Sequence, residues 1–243
     1  MHRRRARSFG SLAADYDAHR PGYPADGIRW VLDGATRPVR SVLDLAAGTG
    51  KLTAGLLALG LPVVAVEPDD EMRARLSHAF PQVEALAGTA EAIPVPDGSV
   101  DAVLVGQAFH WFDACAALEE MARVLRPGGV VGLLWNDEDE SVEWVAGLMA
   151  VAGTSVTHAV PMDVPAHPRF GQVEEAAFPN TQRRTVDSLA ATLGTHSRMI
   201  VIPAEERAAV LERIRAYLSE RPETAGGEFD VPLRTRVVRA RRR

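Results

Sequence analysis

From residue 42 onward, short apolar runs alternate with stretches whose apolar residues recur at three and four spacing. The runs are residues 42–46, 63–66, 83–86, 102–105 and 130–134. Each is too short for an ordinary helix and is followed by polar residues, Gly or Pro, the pattern of a buried strand. The stretches between them, 52–59, 70–80 and 115–125, predict helices. Strands alternating with helices predict βαβ units and a parallel sheet covered on both faces, an α/β fold. Right-handed crossovers then make it doubly wound.

Outside this core the rhythm is looser. Residues 8–40 carry the turn signals Pro21-Gly22 and Tyr23-Pro24, with a capping helix expected around 11–17 and another helix around 24–34. After Trp135 the pattern predicts a helix at 142–152 and a loop at 153–169, which holds Pro161, Pro165 and Pro168. A strand at 173–178, helices at 186–193 and 204–218, a break at Gly226-Gly227 and a last strand at 233–239 follow. No internal repeat or low-complexity linker interrupts the chain. The expectation is one domain over 1–243: a cap at 1–40, a cofactor-binding core at 41–135 and a C-terminal half at 136–243 with an insertion near 153–170.

Composition narrows the function classes. At 47% hydrophobic and 24% charged, the chain has the makeup of a globular protein rather than a disordered one. A net charge of −5 gives no overall pull toward nucleic acid or anionic lipid, which weighs against an RNA-directed enzyme. The basic ends, 3–7 and 239–243, are read as solvated, frayed termini. Cys115 is the only cysteine, so neither an internal disulfide nor a thiolate zinc site can form. It is expected in the core. No metal site is expected, since the histidines do not cluster at ligand spacing. The N-terminus lacks an apolar signal region and no run of about 18 apolar residues occurs, so a cytoplasmic protein without a membrane span is expected.

The strongest chemistry lies at Val42-Leu43-Asp44-Leu45-Ala46-Ala47-Gly48-Thr49-Gly50-Lys51-Leu52-Thr53, where an apolar strand enters a Gly-rich turn and then a helix. Ligands of doubly wound sheets bind at this carboxyl edge, and glycine lets the backbone come close to them. Glu67 ends the second strand, 19 positions after Gly48. A carboxylate there can accept hydrogen bonds from both hydroxyls of a ribose. A dinucleotide fingerprint would need a third glycine where Thr53 stands, and a phosphate-binding loop would need more residues between Gly48 and Gly50. The turn therefore suits a nucleoside without phosphates. A nicotinamide-dependent oxidoreductase is the rival that the missing glycine disfavours.

Four segments in order resemble the class I S-adenosylmethionine-dependent methyltransferases, in particular the group similar to ubiquinone/menaquinone-biosynthesis and trans-aconitate methyltransferases. They are Leu43 to Gly50, Val66-Glu67-Pro68-Asp69-Asp70-Glu71-Met72, Gly88 to Pro94 with Ser99-Val100-Asp101, and Arg123-Val124-Leu125-Arg126-Pro127-Gly128-Gly129. Ala47 stands where the family often has glycine. The resemblance implies a seven-stranded Rossmann-like sheet whose last strand, 233–239, runs antiparallel as hairpin partner of a strand near 173–183. It implies S-adenosylmethionine as cofactor, S-adenosylhomocysteine as product and a small-molecule acceptor, with a homodimer left open. Asp44 with the backbone of Ala46, Ala47, Gly48, Thr49 and Gly50 would hold the methionine part. Glu67 would hold the ribose, Pro68 and Met72 the adenine face, Ala90 and Glu91 the adenine edge. Gln107 would lie under the sulfonium. Tyr16 and Arg20 would belong to a lid over the cofactor.

A sulfonium methyl is already electrophilic, so the protein must chiefly hold the acceptor in line and exclude water. His110, within Gln107-Ala108-Phe109-His110-Trp111-Phe112, is the candidate to orient or deprotonate the acceptor. Trp111 and Phe112 are expected to be packing. The reading from another class is a catalytically silent S-adenosylmethionine-binding protein or partner subunit. A filled acceptor pocket beside Gln107 would mark it.

Overall fold

The computed structural model describes residues 21–153, 164–194, 199 and 202–243. Seven strands form one sheet in the order β3-β2-β1-β4-β5-β7-β6. They are β1 Val42–Leu45, β2 Val63–Val66, β3 Glu84–Leu86, β4 Val100–Gly106, β5 Leu125–Glu138, β6 Phe170–Arg184 and β7 Phe229–Arg242. The helices are α1 Ala25–Leu32, α2 Lys51–Ala58, α3 Asp70–Ala79, α4 Ala114–Val124, α5 Glu143–Ala152, α6 Val186–Gly194 and α7 Ala204–Ser219. β1 pairs in parallel with β2 and β4, β2 with β3, and β4 with β5.

β7 is the antiparallel strand. Asn136 of β5 meets Thr235 and Leu125 meets Arg242, so partner numbers fall as β5 rises. The same reversal holds against β6, where Glu174 meets Arg239 and Arg169 meets Arg243. β6 and β7 are neighbours as expected, but α6 and α7 connect them rather than a hairpin turn. The last strand also runs further than expected. Residues 239–242 belong to β7 instead of fraying, because their guanidinium groups find carbonyl partners at Trp30, Gly34 and Leu125.

The chain divides into two compact units. In the first, residues alternate between the two faces of the sheet, as a strand's period of two requires. Leu43, Leu45, Val103, Val105, Leu133 and Trp135 enter the core that includes α4. Val42, Ala102, Leu104, Val130 and Leu134 enter the core that includes α1 and α2. Asp44 alternates onto this second face. The second unit covers residues 137–160 and 179–234. Its core joins Trp144, Leu148 and Met149 of α5 to Leu189 and Leu193 of α6 and Val210, Ile214 and Leu218 of α7. The Tyr217 hydroxyl donates to the Trp144 carbonyl at 2.9 Å, tying α7 to α5.

The motif at Arg123 is structural. Its guanidinium reaches Glu120 at 2.7 Å, Asp97 at 2.7 Å and the carbonyls of Val95 and Ile93 at 2.9 and 2.8 Å. Glu120 in turn accepts from the Ile93 N–H at 2.9 Å. One side chain thus fastens the 93–97 loop to α4. Arg126 does similar work at the start of β5. It donates to Asp101 at 2.8 Å, whose carboxylate also accepts the N–H groups of Arg40 and Ser41.

Candidate active site

A cleft opens at the C-terminal ends of β1, β4 and β5. It is lined by Asp44, Ala46, Ala47, Gly48, Thr49, Lys51, Leu52, Gly106, Gln107, Asn136, Pro21 and Tyr23. Ala46 and Gln107, which directly follow β1 and β4, are the described non-glycine residues with positive φ, at 57° and 58°. That conformation costs an L-residue about 1–2 kcal/mol, and such strain concentrates at ligand sites. Gly48 and Gly50 are also left-handed, at 58° and 95°. A Cβ on Gly50 would press to 2.6 Å from the Phe80 ring, so the turn into α2 needs glycine there.

Asp44 is fully buried. The Thr53 hydroxyl donates to its Oδ2 at 2.5 Å, while Oδ1 is buried with no hydrogen-bond partner. Burial chiefly, opposed by the Thr53 hydrogen bond and reinforced by the nearby Glu67 charge, raises its pKa to about 7. A buried polar atom left unpaired costs free energy and points to a missing donor.

Glu67 is also buried, and it stitches two loops together. Its Oε2 accepts the Gly48 N–H at 2.8 Å and its Oε1 accepts the Asp69 N–H at 2.9 Å. Burial raises its pKa against these two backbone hydrogen bonds. Asp69 caps α3 by accepting from Glu71 and Met72, both at 3.0 Å. The cap places Met72 against the Gly48 turn, with its sulfur 3.9 Å from the position a Cβ on Gly48 would take. Pro68 is exposed beside it.

The other expected residues lie further round. Ala90 is buried in the α4-side core, and Glu91 accepts the Asp113 N–H at 3.0 Å just before α4. Gln107 donates from Nε2 to the Asn136 carbonyl at 2.9 Å, joining the ends of β4 and β5. His110 sits exposed in the 3-10 turn Phe109–Trp111, its ring 4.6 Å from that of Trp111, outside the cleft lining. Trp111 is 37% exposed and Cys115 is exposed on α4, so neither is the core residue expected. Their neighbours Phe109, Ala117 and Leu118 take the inward positions of that segment instead. Phe112 packs against the α4-side core as expected. Tyr16, Arg20 and the helix around 11–17 fall outside the described residues.

Sequence reasoning passed over two residues of the cleft lining, Lys51 and Asn136, and the partner of a third, Thr53. Thr53 registered only as the glycine missing from a dinucleotide motif, yet it fixes Asp44 nine positions away. Asn136 carried no motif; it donates to the Gly22 carbonyl at 3.1 Å and accepts the Thr235 hydroxyl. Lys51, the chain's only lysine, stood in the turn segment with no role assigned to it. Among the described residues no group of three or more His, Cys, Asp or Glu is placed to hold a metal ion, and no helix is long and apolar enough to cross a membrane.

Residues 43–133 match a family model described as a methyltransferase domain. The chain is 44% identical over 237 residues to an uncharacterized methyltransferase of Mycobacterium tuberculosis, covering 96% of this chain and 95% of that protein. It is 37% identical over 224 residues to an uncharacterized methyltransferase-like protein of Schizosaccharomyces pombe, covering 88% and 85%. In fold it is similar to a putative type II methyltransferase from Anaeromyxobacter dehalogenans, with a TM-score of 0.69 at 24% identity over 92% of this chain and 97% of that one.

Proposed function

The chain belongs to the methyltransferase domain family, and from that premise we propose that it moves the methyl group of S-adenosylmethionine to a small-molecule acceptor. The observation that carries this reading is the buried, unpartnered Oδ1 of Asp44 beside the Gly48–Glu67 hydrogen bond. An orphan acceptor in a cleft floored by left-handed backbone fits a ligand with a cationic amino acid end. Asp44 and the backbone of residues 46–50 hold that end. Glu67 holds the ribose: each carboxylate oxygen has capacity beyond the single N–H it accepts here. Met72 and Pro68 take the adenine face, and Ala90 and Glu91 its edge. Gln107, fixed by Asn136, faces the reacting end.

The cofactor supplies an activated methyl group, whose bond to sulfur breaks as a bond to the acceptor forms. The protein's part is positioning and exclusion of water. Tyr23 and Pro21 close one side of the cleft. The lid role of Tyr16 and Arg20 and the acceptor role of His110 belong to this same proposal. His110 acts only where the acceptor must lose a proton.

Calorimetric titration with S-adenosylmethionine and S-adenosylhomocysteine tests the reading. Wild type binds both, and Glu67→Ala binds at least about tenfold more weakly, as losing a charged hydrogen-bonding partner entails. Absence of binding to either ligand by the folded wild type overturns it.

A further inference from the structure

A second cavity, of about 360 Å³, lies away from the cleft. That volume falls within the range of small-molecule sites, about 300–1,000 Å³. Leu118, Phe170 and Ala240, each nearly fully buried, join Val164 and Val173 in its apolar wall. His167 and Arg243 are in its polar lining. The cleft uses the C-terminal ends of β1, β4 and β5. This cavity uses Phe170, which opens β6, and Ala240, near the end of the antiparallel β7. It therefore sits toward the opposite edge of the sheet and cannot be the acceptor's entry to Gln107.

Charge selects the occupant. His167 Nε2 lies 3.3 Å from Glu119, which also takes Arg169 at 3.1 Å, so this carboxylate is already shared. Arg242 donates to the Leu125 carbonyl, and the Arg243 N–H donates to the Arg169 carbonyl. Among the described residues, neither Arg242 nor Arg243 forms an ion pair with a carboxylate. Among the described residues, Arg169 and the lining residue Arg243 therefore stand here against the carboxylate of Glu119, although the whole chain is −5. We propose that the cavity binds a small amphipathic anion, a medium-chain monocarboxylate whose apolar chain lies against Leu118, Phe170 and Val173 and whose carboxylate meets Arg243. The site is separate from methyl transfer and does not depend on which acceptor the cleft takes.

Gly171 offers a clean block. A Cβ there would meet only the Arg241 carbonyl oxygen, at an ordinary 3.7 Å, so Gly171→Leu adds a bulky side chain at the cavity's lining without a clash at its Cβ. The probe is octanoate, titrated calorimetrically into the full chain, with hexanoate and 1-octanol as comparisons. Octanoate binds; each methylene removed weakens binding about fourfold. Octanol binds at least about tenfold more weakly, having no charge for Arg243. Gly171→Leu abolishes binding and Arg243→Gln weakens it several-fold, while both retain wild-type affinity for S-adenosylhomocysteine and a wild-type melting temperature. The proposal is overturned if octanoate does not bind at millimolar concentration, if octanol binds equally well, or if the folded variants bind octanoate as wild type does. Should Gly171→Leu fail to fold, the Arg243→Gln and octanol comparisons still decide it.

Discussion

The Thr53 hydroxyl holds one oxygen of the buried Asp44 at 2.5 Å while the other oxygen has no protein partner. A buried acid in this state prefers its proton. Its folded pKa of about 7 stands above the unfolded value of 3.8.

Stability should follow that difference with a definite sign. Between about pH 4 and 7 the folded protein binds a proton at Asp44 that the unfolded chain has released. Stability from this group is present at low pH, falls as pH rises through that window, and levels off above about 7. Asp44→Asn carries no such proton. Urea denaturation from pH 4 to 8 should show the variant gaining on wild type by at most about 1.4 kcal/mol per pH unit, with no further gain above 7. A constant difference across that range would refute the buried-acid assignment.

Ligand affinity should run the opposite way. A cationic partner of Asp44 needs the carboxylate ionised, so S-adenosylmethionine binds more tightly as pH rises toward 7 and then plateaus. Thr53→Val removes the hydrogen bond that favours the ionised form and moves the plateau to higher pH. Calorimetry across pH reads both curves; coincident profiles count against the role of Thr53.

Backbone strain at Ala46 gives a third expectation. Glycine accepts φ of 57° at no steric cost, so Ala46→Gly should leave stability unchanged or raise it by up to about 1 kcal/mol. Ala46→Val should lower it, because a β-branched side chain tolerates that conformation poorly. Thermal melts of the pair provide the check.

Arg123 should matter for stability and hardly for chemistry. Arg123→Met removes ion pairs to Glu120 and Asp97 and leaves two loop carbonyls without this donor, at a cost of about 2 kcal/mol after discounting for its partial exposure. Denaturant titration should show the loss. A ligand affinity that fell as far as stability would place Arg123 nearer the site than its contacts do.

Much of this was legible without coordinates. The apolar runs at 42–46 and 63–66 became β1 and β2 almost residue for residue, since a strand buried on both faces leaves a continuous hydrophobic signature. Gly48, Gly50 and Glu67 were likewise readable, because a tight turn and a strand-end carboxylate are local demands on residue type. Exposure at Trp111 and Cys115 was not, as apolar character does not say which side of a turn or helix faces water. Nor was the ordered basic end of the chain: the carbonyls of Trp30, Gly34 and Leu125 that anchor it are far away in sequence.

The sequence by itself determined the order of elements, the glycine-rich turn after β1 and the family resemblance, because periodicity and turn chemistry are short-range. Only the tertiary structure decided that Asp44 pairs with Thr53 and keeps one oxygen free, that Gln107 is locked to Asn136, and that a second cavity forms between α4 and the β6–β7 edge. Each of these depends on burial and on partners brought together by the fold, and none is a property of any segment taken alone.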